Sequence, residues 1–243
     1  MIKLFRHIRK NLLNEGKTYK YLKYAIGEIV LVVIGILIAL GINNWNEERK
    51  ESAAIKNVLV EIKDDLIQDK AELEFKILQR TEDFEAQNRI ITALLTKSEF
   101  NDNIRSDLGH INLFRPFYSV SKGYELLKEL NLGNLNDKAL RVTLTKYYER
   151  DIPAVQQETA DDKLEFETFW LPYARTNFIE WEFGDYAIPE NYSQILNDRT
   201  LLTAVKINLN NIHSTIKAYT VALNNALDLI EIIEKKYQAI DND

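Results

Sequence analysis

The sequence predicts an all-α protein in which one N-terminal transmembrane helix continues into an elongated antiparallel bundle of about four helices. Three features predict this fold class: a charge-poor apolar run near the N-terminus, apolar residues at helical spacing over most of the remaining chain, and little glycine or proline. The 243 residues include 8 glycines and 4 prolines, too few for a turn-dense all-β fold. Hydrophobic residues make up 46% and charged residues 28%, which is the balance of a folded chain.

The first element is a basic cytoplasmic arm over residues 1–23. Seven Lys and Arg residues precede residue 25, against the single acid Glu15. The cations predicted to meet lipid headgroups are Lys3, Arg6, Arg9 and Lys10. Four apolar residues between these cations recur at helical spacing, which suits a short helix lying on an anionic leaflet. The alternative is that the arm serves only as a topology signal.

The second element is the transmembrane helix, residues 24–43. From Tyr24 to Ile42 the chain carries one ionisable group, Glu28, near one end. At ~1.5 Å per residue this stretch covers roughly 28 Å, about the hydrocarbon thickness of a bilayer. No small-x-small cleavage site follows the apolar run, so an uncleaved signal anchor is favoured over a cleaved secretory signal. Tyr24 and Trp45 are predicted to anchor the two ends at the membrane interfaces.

The orientation of the span follows from the basic residues on either side of it. Residues 43–60 hold three bases, fewer than the arm that precedes the span. The positive-inside rule therefore predicts that the N-terminus is cytoplasmic and that residues 44–243 lie on the other side of the membrane.

One face of the span carries small and polar residues. Glu28, Gly35, Ala39 and Asn46 lie within about 20° of one line on a helix of ~100° per residue. Gly35 and Ala39 permit close approach by a second helix, and a carboxylate inside the membrane prefers a protein partner to lipid. This face predicts a helix–helix contact. The alternative is that Glu28 snorkels to the cytoplasmic headgroups and that the glycines are incidental.

A family resemblance is carried by the span itself. The string YAIGEIVLVVIGILIAL from Tyr24, followed after Gly41 by INNWNE, resembles the N-terminal hallmark of a Bacteroidota family of single-pass inner-membrane proteins of unknown function. Residues 121–148 are similar to a later segment of that family. The resemblance implies a bacterial inner-membrane protein with a basic arm before the span and a helical, periplasmic region after it. It brings no catalytic residue and no cofactor.

Beyond the span, the helical pattern continues. Apolar residues follow a 3.6-residue period from Ile55 to Leu95, as on one face of a helix. The membrane helix is therefore predicted to run on to about residue 97. The alternative is a break at Asn43 and Asn44, two consecutive residues of poor helix propensity.

The middle of the chain predicts shorter elements. Residues 98–121 are typical of a loop with at most one helical turn. Ser119 or Ser121 is expected to cap a short helix, and the pair Asn136–Asp137 the next one. That second helix is expected to kink or break at Pro153 before it resumes, because proline disrupts a helix interior.

The end of the chain combines an irregular segment with the clearest helix. Residues 171–199 carry two prolines and a glycine and are predicted to be irregular. Residues 202–240 place apolar residues at alternating steps of three and four, a strong helical signal. This last helix is interpreted as one member of the antiparallel bundle, packed on the 46–97 helix. An intermolecular coiled coil is the alternative.

Motifs for catalysis and for metal or nucleotide binding are absent from the sequence. The chain has no cysteine and three scattered histidines, which argues against thiolate chemistry and metal sites. It also lacks the P-loop, the G-x-G-x-x-G and the G-x-S-x-G patterns. Since the net charge is -6 and the bases concentrate in the arm, nucleic acid is an improbable partner. We therefore expect no enzyme activity, cofactor, metal site or nucleic-acid binding.

Aromatic residues concentrate in residues 166–192. The residues singled out there as a possible ligand or partner surface are Phe169, Trp170, Tyr173, Trp181, Phe183 and Tyr186. Aromatic walls beside carboxylates suit sugars or cationic amphiphiles, and Glu182 and Asp185 could serve as a general acid and base of a hydrolase. The leading interpretation is structural, because rings commonly close the end of a helical bundle where loops cross.

These features together favour a non-enzymatic inner-membrane protein that acts as an assembly, scaffold or accessory subunit through its span and bundle. Its expected partners are membrane lipids and either further copies of the chain or a larger inner-membrane complex. The alternative is a periplasmic ligand-binding sensor that uses residues 166–192 for a small molecule. Such a sensor would need a partner to relay its signal, because the cytoplasmic arm is too short for an output domain.

Overall fold

The computed structural model describes residues 18–111 and 113–238. The chain divides into two compact units, Met1–Ala54 and Ile55–Asp243. Helices account for most of the regular structure, which confirms the all-α prediction, and a small two-stranded antiparallel sheet is the exception.

Helix α1, Thr18–Thr96, is the longest element at 79 residues. In the first unit, residues 29–40 are all apolar and all exposed, a surface that suits lipid rather than water. Judged by length and composition, α1 is the one helix among the described residues that could cross a membrane. Asn43 and Asn44 lie inside α1, so the helix does not break there.

The second unit contains the rest of α1 and the other described elements. Those elements are α2 Asp102–Gly109, α3 Lys122–Glu129, α4 Lys138–Lys146, α5 Ile152–Glu165, α6 Leu171–Asn177, β1 Phe178–Glu182, β2 Tyr186–Pro189, α7 Tyr192–Leu196 and α8 Arg199–Ile233. A 3₁₀ turn, Leu132–Asn134, precedes α4, and a π turn, Glu234–Gln238, follows α8. Helix α2 lies within the segment that was predicted to be mainly loop.

Two π turns keep the chain helical from α4 to α6. They are Tyr147–Asp151 and Phe166–Trp170, and each closes with a backbone N–H bonded to the carbonyl five residues back. Pro153 and Pro172 are the second residues of α5 and α6, each separated by one residue from a π turn, and proline inside a continuous helix is normally disruptive. The helix continues at Pro153 through the π turn, so the predicted break does not occur there, whereas the alternative of a kink stays a prediction.

The segment predicted to be irregular holds regular structure. Strands β1 and β2 form an antiparallel hairpin that pairs Trp181 with Ala187 and carries an irregularity between Phe178 and Glu180. The hairpin turn contains Gly184 at a φ of 79°, a conformation that favours glycine. Helix α2 packs closely on β2, since a Cβ added to Gly109 would lie 2.4 Å from the Tyr186 nitrogen.

Carboxylates from α1 cap α3 in place of the predicted serine. Ser121 makes no capping hydrogen bond, and the Ser119 hydroxyl donates instead to Asp69. The Gly123 N–H in the first turn of α3 donates to Asp65 Oδ2 at 2.8 Å. The prediction of a serine cap is thus wrong, whereas the Asp137 side chain caps α4 as predicted, by accepting the Leu140 N–H at 3.0 Å.

Two hydrophobic cores lie in the second unit. The first core joins α1, α3, α4, α5 and α8 around fully buried side chains such as Leu59, Leu66 and Tyr219. The second core joins α1, α2, β2 and α8 around Trp170 and Val205. Since α1 and α8 contribute to both cores, α8 packs within the chain as the bundle interpretation predicts.

Candidate functional site

The predicted contact residues of the span lie on one side of α1 in the first unit. Ala39 is exposed, and Glu28 and Asn46 are partly exposed. Among the described residues, apart from its own turns of α1, no atom lies within 4 Å of a Cβ added to Gly35, and the same holds for Gly27 and Gly41. The face therefore leaves room for a second backbone to approach at Gly35 and Ala39.

The predicted membrane-interface residues are described only in part. Trp45 is 62% exposed, and the Arg49 guanidinium carbon lies 5.7 Å from its ring centroid, within cation–π range. Both side chains are of the kind found at headgroup level. The backbone of Tyr24 belongs to α1, but its side chain lies outside the described part, as do all of Lys3, Arg6, Arg9 and Lys10.

Three of the singled-out aromatic residues pack at the second core. Trp170 is 1% exposed, and its ring makes an edge contact with Phe169 at a centroid distance of 5.0 Å. Tyr173 stacks on Phe169 and donates its hydroxyl to Asp198 Oδ2 at 2.6 Å. Burial raises the pKa of Tyr173 and the hydrogen bond to Asp198 raises it further. These rings close the end of the bundle at the start of α8.

The other three singled-out aromatic residues, Trp181, Phe183 and Tyr186, lie on the hairpin. Trp181 and Phe183 are in ring contact at 5.2 Å, and Phe183 is 54% exposed. Tyr186 donates its hydroxyl to Glu180 Oε1 at 2.6 Å, while the Arg105 guanidinium lies 4.1 Å from the centroid of its ring. The aromatic residues thus stabilise the hairpin and its contact with α2.

An open groove runs beside Phe169 along the first turns of α8. Its volume is about 460 Å³, and it is lined by Glu165, Phe169, Arg199, Thr200, Thr203, Ala204 and Ile207. The other five singled-out aromatic residues do not line it. Both carboxylate oxygens of Glu165 are already used, by Trp170 Nε1 at 3.2 Å and by Asn211 Nδ2 at 2.6 Å. This groove therefore does not gather the six rings.

A layer of buried polar side chains separates the two cores. It comes from α1, from the segment between α2 and α3, from α5 and from α8. We call it the polar layer, and its members are Arg80, Asp83, Gln87, Arg115, Asp162, Asn208 and Thr215. Apart from Arg115, all are at most 1% exposed, an unusual degree of burial for charged residues.

Arg80 and Asp162 form the centre of the polar layer. Arg80 donates a hydrogen bond from one guanidinium nitrogen to Asp162 Oδ2 and from another to the Leu113 carbonyl oxygen. The Thr215 hydroxyl donates to the same Asp162 oxygen at 3.0 Å. Within the described residues, Arg80 Nε and Asp162 Oδ1 are buried without a hydrogen-bond partner. Burial raises the pKa of Asp162 to about 6, although the charge of Arg80 opposes that shift.

Asp83 has better partners on the other side of Arg80. Arg115 donates to both of its oxygens, at 2.8 and 2.9 Å, and His110 Nδ1 lies 2.9 Å from Asp83 Oδ1. Arg80 Nη1 lies 3.7 Å from Asp83 Oδ2. Burial alone favours the protonated form, but the hydrogen bonds from His110 and Arg115 lower the pKa of Asp83. The two carboxylates that share Arg80 thus titrate in different ranges.

Amide side chains complete the polar layer. Asn208 Nδ2 donates to Gln87 Oε1 at 2.9 Å, and Gln87 Nε2 donates to the His110 carbonyl at 3.1 Å. The Tyr219 hydroxyl donates to the Arg115 carbonyl. These bonds tie α1, α8 and the segment after α2 together at one level of the bundle.

A second set of buried polar residues surrounds Asp69 in the first core. Asp69 accepts hydrogen bonds from the Val120 N–H at 2.8 Å and from the Tyr147 hydroxyl at 2.7 Å. Burial still raises the pKa of Asp69 above its ordinary value. The ring of Tyr148 stacks on that of Tyr124 with their centroids 4.4 Å apart. Burial raises the pKa of Tyr124 to about 12. This group holds the first turn of α3 against α1.

The chemistry that the polar layer supports is the uptake and release of a proton. Asp162 can bind or release a proton in a mildly acidic range, but its burial closes it to a substrate. Within the described ranges, no group of three or more His, Asp or Glu residues is placed to hold a metal ion.

The sequence interpretation did not find the polar layer, although a signal for it exists. Buried positions of α1 recur every three or four residues, and Asp69, Arg80, Asp83 and Gln87 occupy such positions among the apolar ones. Charged residues in a core-facing register are costly unless they are paired. That register therefore points to buried partners elsewhere in the chain.

Comparison with known protein families gives a match. A sequence model of a family of unknown function (DUF6090) matches residues 28–165, which is more than half of the 243-residue chain. The matched region includes Arg80, Asp83 and Asp162 of the polar layer and ends at the last residue of α5. Neither a curated protein nor a solved structure matches the chain.

Proposed function

The chain belongs to the DUF6090 family of unknown function, and we propose that it is a membrane-anchored helical-bundle protein. In this proposal it acts without catalysis of its own, as an assembly, scaffold or accessory subunit through its span and bundle. The observation that carries the proposal is the uniformly apolar and exposed surface of residues 29–40 in the first unit. Such a surface needs lipid or another apolar helix to cover it.

The proposed orientation places the arm in the cytoplasm and the second unit in the periplasm of a bacterial inner membrane. It rests on the seven bases that precede residue 25 against the three in residues 43–60. Trp45 and its cation–π neighbour Arg49 suit the far interface, where aromatic and basic side chains meet headgroups.

The proposed contact face of the span consists of Glu28, Gly35, Ala39 and Asn46. Gly35 and Ala39 form a small-x-x-x-small pair, which allows two helix backbones to approach closely in lipid. Open space around Gly35 supports the proposal, because a second helix could reach its backbone. The partner helix is either a second copy of this chain or a subunit of a larger complex.

Single-cysteine labelling tests the orientation, and the natural chain suits it because it contains no cysteine. Ser193→Cys places a thiol at an exposed position of α7, and Asn14→Cys places one in the arm. A membrane-impermeant maleimide should label S193C in intact spheroplasts and N14C only after lysis. The opposite pattern would refute the orientation, and recovery of both variants in the soluble fraction would refute the anchor itself.

Substitution of the small residues tests assembly. Gly35→Leu combined with Ala39→Leu should lower the association constant, measured from the crosslinked or co-sedimenting fraction over a dilution series in mild detergent, by roughly tenfold, the equivalent of ~1.4 kcal/mol. Gly41→Leu is the matched control, since Gly41 lies about 120° from Gly35 around the helix. Unchanged assembly in the double variant, or an equal loss in G41L, would count against this contact face.

A further inference from the structure

Of the two carboxylates in the polar layer, Asp162 is the one with an unsatisfied oxygen. One of its oxygens accepts from Arg80 and Thr215, while Oδ1 is buried without a partner among the described residues. A buried charge with half of its hydrogen-bonding capacity unused is destabilising relative to the same charge in water. Asp83, which shares Arg80, has both oxygens bonded.

The charged and titratable groups around Asp162 come from every element packed against it. Those groups are Arg80 and Asp83 of α1, His110 and Arg115 from α2 and the segment after it, Glu158 and Glu165 of α5 itself, and Tyr219 of α8. Arg80 favours the charged form of Asp162, whereas Glu158 and Glu165 oppose it. Arg115 is committed to Asp83, so Arg80 is the single cation that contacts Asp162 among the described residues.

The helix that carries Asp162 has adjustable ends. Helix α5 is bounded by the π turns Tyr147–Asp151 and Phe166–Trp170. A π turn inside a longer helix often marks a functional or strained position, since it inserts an extra residue that can be redistributed. The two π turns are therefore the positions at which a local separation of α5 from α8 would begin.

We propose that α5 is a pH-responsive segment: loss of the Asp162 proton weakens its contact with α8 and opens the polar layer locally. Protonated Asp162 needs no countercharge, so Arg80 can pair with Asp83 and the layer stays closed. Ionised Asp162 competes with Asp83 for Arg80 in a buried setting. The device would let the second unit change its local stability with the acidity around it.

The direction follows from the titration of Asp162. Its pKa in the folded chain is raised from 3.8 to about 6 by burial. The stability that its proton contributes is therefore fully present below pH 3.8 and is lost as the pH rises through about 6. Between about pH 4.5 and pH 7.5 the two pKa values imply a roughly 25-fold increase in the local opening constant.

Hydrogen exchange measured by mass spectrometry on the full chain in detergent tests the proposal. The readout is the protection of amides in Ile152–Glu165, compared at each pH with Asp162→Asn, which keeps an acceptor for Arg80 and Thr215 but does not titrate. Between about pH 4.5 and pH 7.5, the protection factors of these amides in the wild-type chain should fall roughly 25-fold relative to those in D162N. Amides of α4 serve as the internal reference, because its capping residue Asp137 has a lowered pKa, and their protection relative to D162N should not change over that range.

The controls separate titration of Asp162 from other causes. Asp161→Asn removes the neighbouring, exposed carboxylate and should leave the wild-type pH dependence intact. Thr215→Val removes a hydrogen bond that favours the charged form, so the transition should move to higher pH, which keeps the test open if D162N folds poorly. Wild-type protection that runs parallel to D162N at every pH, or a T215V transition that stays in place, would overturn the proposal.

Discussion

Replacement of Arg80 by methionine is the most direct test of the polar layer. Arg80 is 0% exposed, donates to Asp162 and to the Leu113 carbonyl, and lies 3.7 Å from Asp83. Methionine has a similar length and fills most of the space, so the variant removes the charge and its donors without leaving a large cavity. What remains is a buried carboxylate with Thr215 as its donor, together with an unpaired carbonyl.

The expected cost is large compared with the stability of the fold. Removing one partner of a buried ion pair typically costs about 3–5 kcal/mol, out of a total of about 5–15 kcal/mol for a domain. The loss should shrink at acidic pH, because Asp162 then binds a proton and no longer needs a countercharge. Asp162→Asn added to Arg80→Met should recover much of the loss at neutral pH for the same reason.

Urea denaturation of the full chain in mild detergent measures this effect. Trp170 in the second core and Trp181 on the hairpin report unfolding by fluorescence. Lys163→Met is the matched control, since Lys163 also pairs with a carboxylate, Glu167 at 3.7 Å, but both side chains are more than half exposed. Its expected loss is about 1 kcal/mol or less. The reasoning is refuted if R80M costs no more than K163M, or if D162N does not rescue R80M.

Three further predictions concern the first core and the acidic range. Gly123→Ala should destabilise the fold by about 1–3 kcal/mol in denaturant titrations, because the new Cβ would lie 2.7 Å from the Ile62 nitrogen. Tyr147→Phe removes a donor from buried Asp69 and should cost about 1–3 kcal/mol, measured in the same way. The pKa of Asp83 is lowered in the folded chain, so its stabilisation is present above pH 3.8 and is lost as the pH falls. Asp83→Asn should therefore flatten the decline of stability on the acid side, as acid titration followed by circular dichroism would show.

The 3.6-residue spacing of apolar residues predicted the long helices well, because a helix that is buried on one face requires apolar residues at that spacing. The first predicted helix continues as α1 to Thr96, and the last one is α8 with its π turn. On α8, however, Asn208, Thr215 and Asn225 are buried, although the apolar pattern places them outside its stripe. Each of them meets a polar partner from elsewhere in the chain, and a pattern of apolar residues does not reveal such partners.

The elements that were missed depend on local detail. Proline usually interrupts a helix, and nothing in the sequence near Pro153 distinguishes a break from a π turn. The hairpin had a clearer signal, since aromatic and β-branched residues flank Gly184 on both sides, which is typical of two strands around a turn. The two prolines and the glycine of residues 171–199 predicted irregular structure instead.

The candidate site combines a part that could be predicted with a part that could not. The face of the span follows from helix geometry alone, because its residues are neighbours along one helix. The polar layer joins residues that are far apart in sequence, such as Arg80, Asp162 and Thr215. Their proximity depends on how the helices pack. The unexpected polar positions of α1 could have been noticed, but their partners could not have been named.

The polar pairs on α8 also explain how the bundle keeps one register. Asn208 pairs with Gln87, Thr215 with Asp162, and the Asn225 amide donates to Asp151 at 2.6 Å. Apolar surfaces alone tolerate sliding, because their attraction has little directional preference. A shift of α8 by one turn, about 5.4 Å, would separate all of these pairs and leave several buried polar groups unsatisfied, at about 1–3 kcal/mol each. Buried pairs that add little net stability can therefore still select a single alignment of α1, α5 and α8.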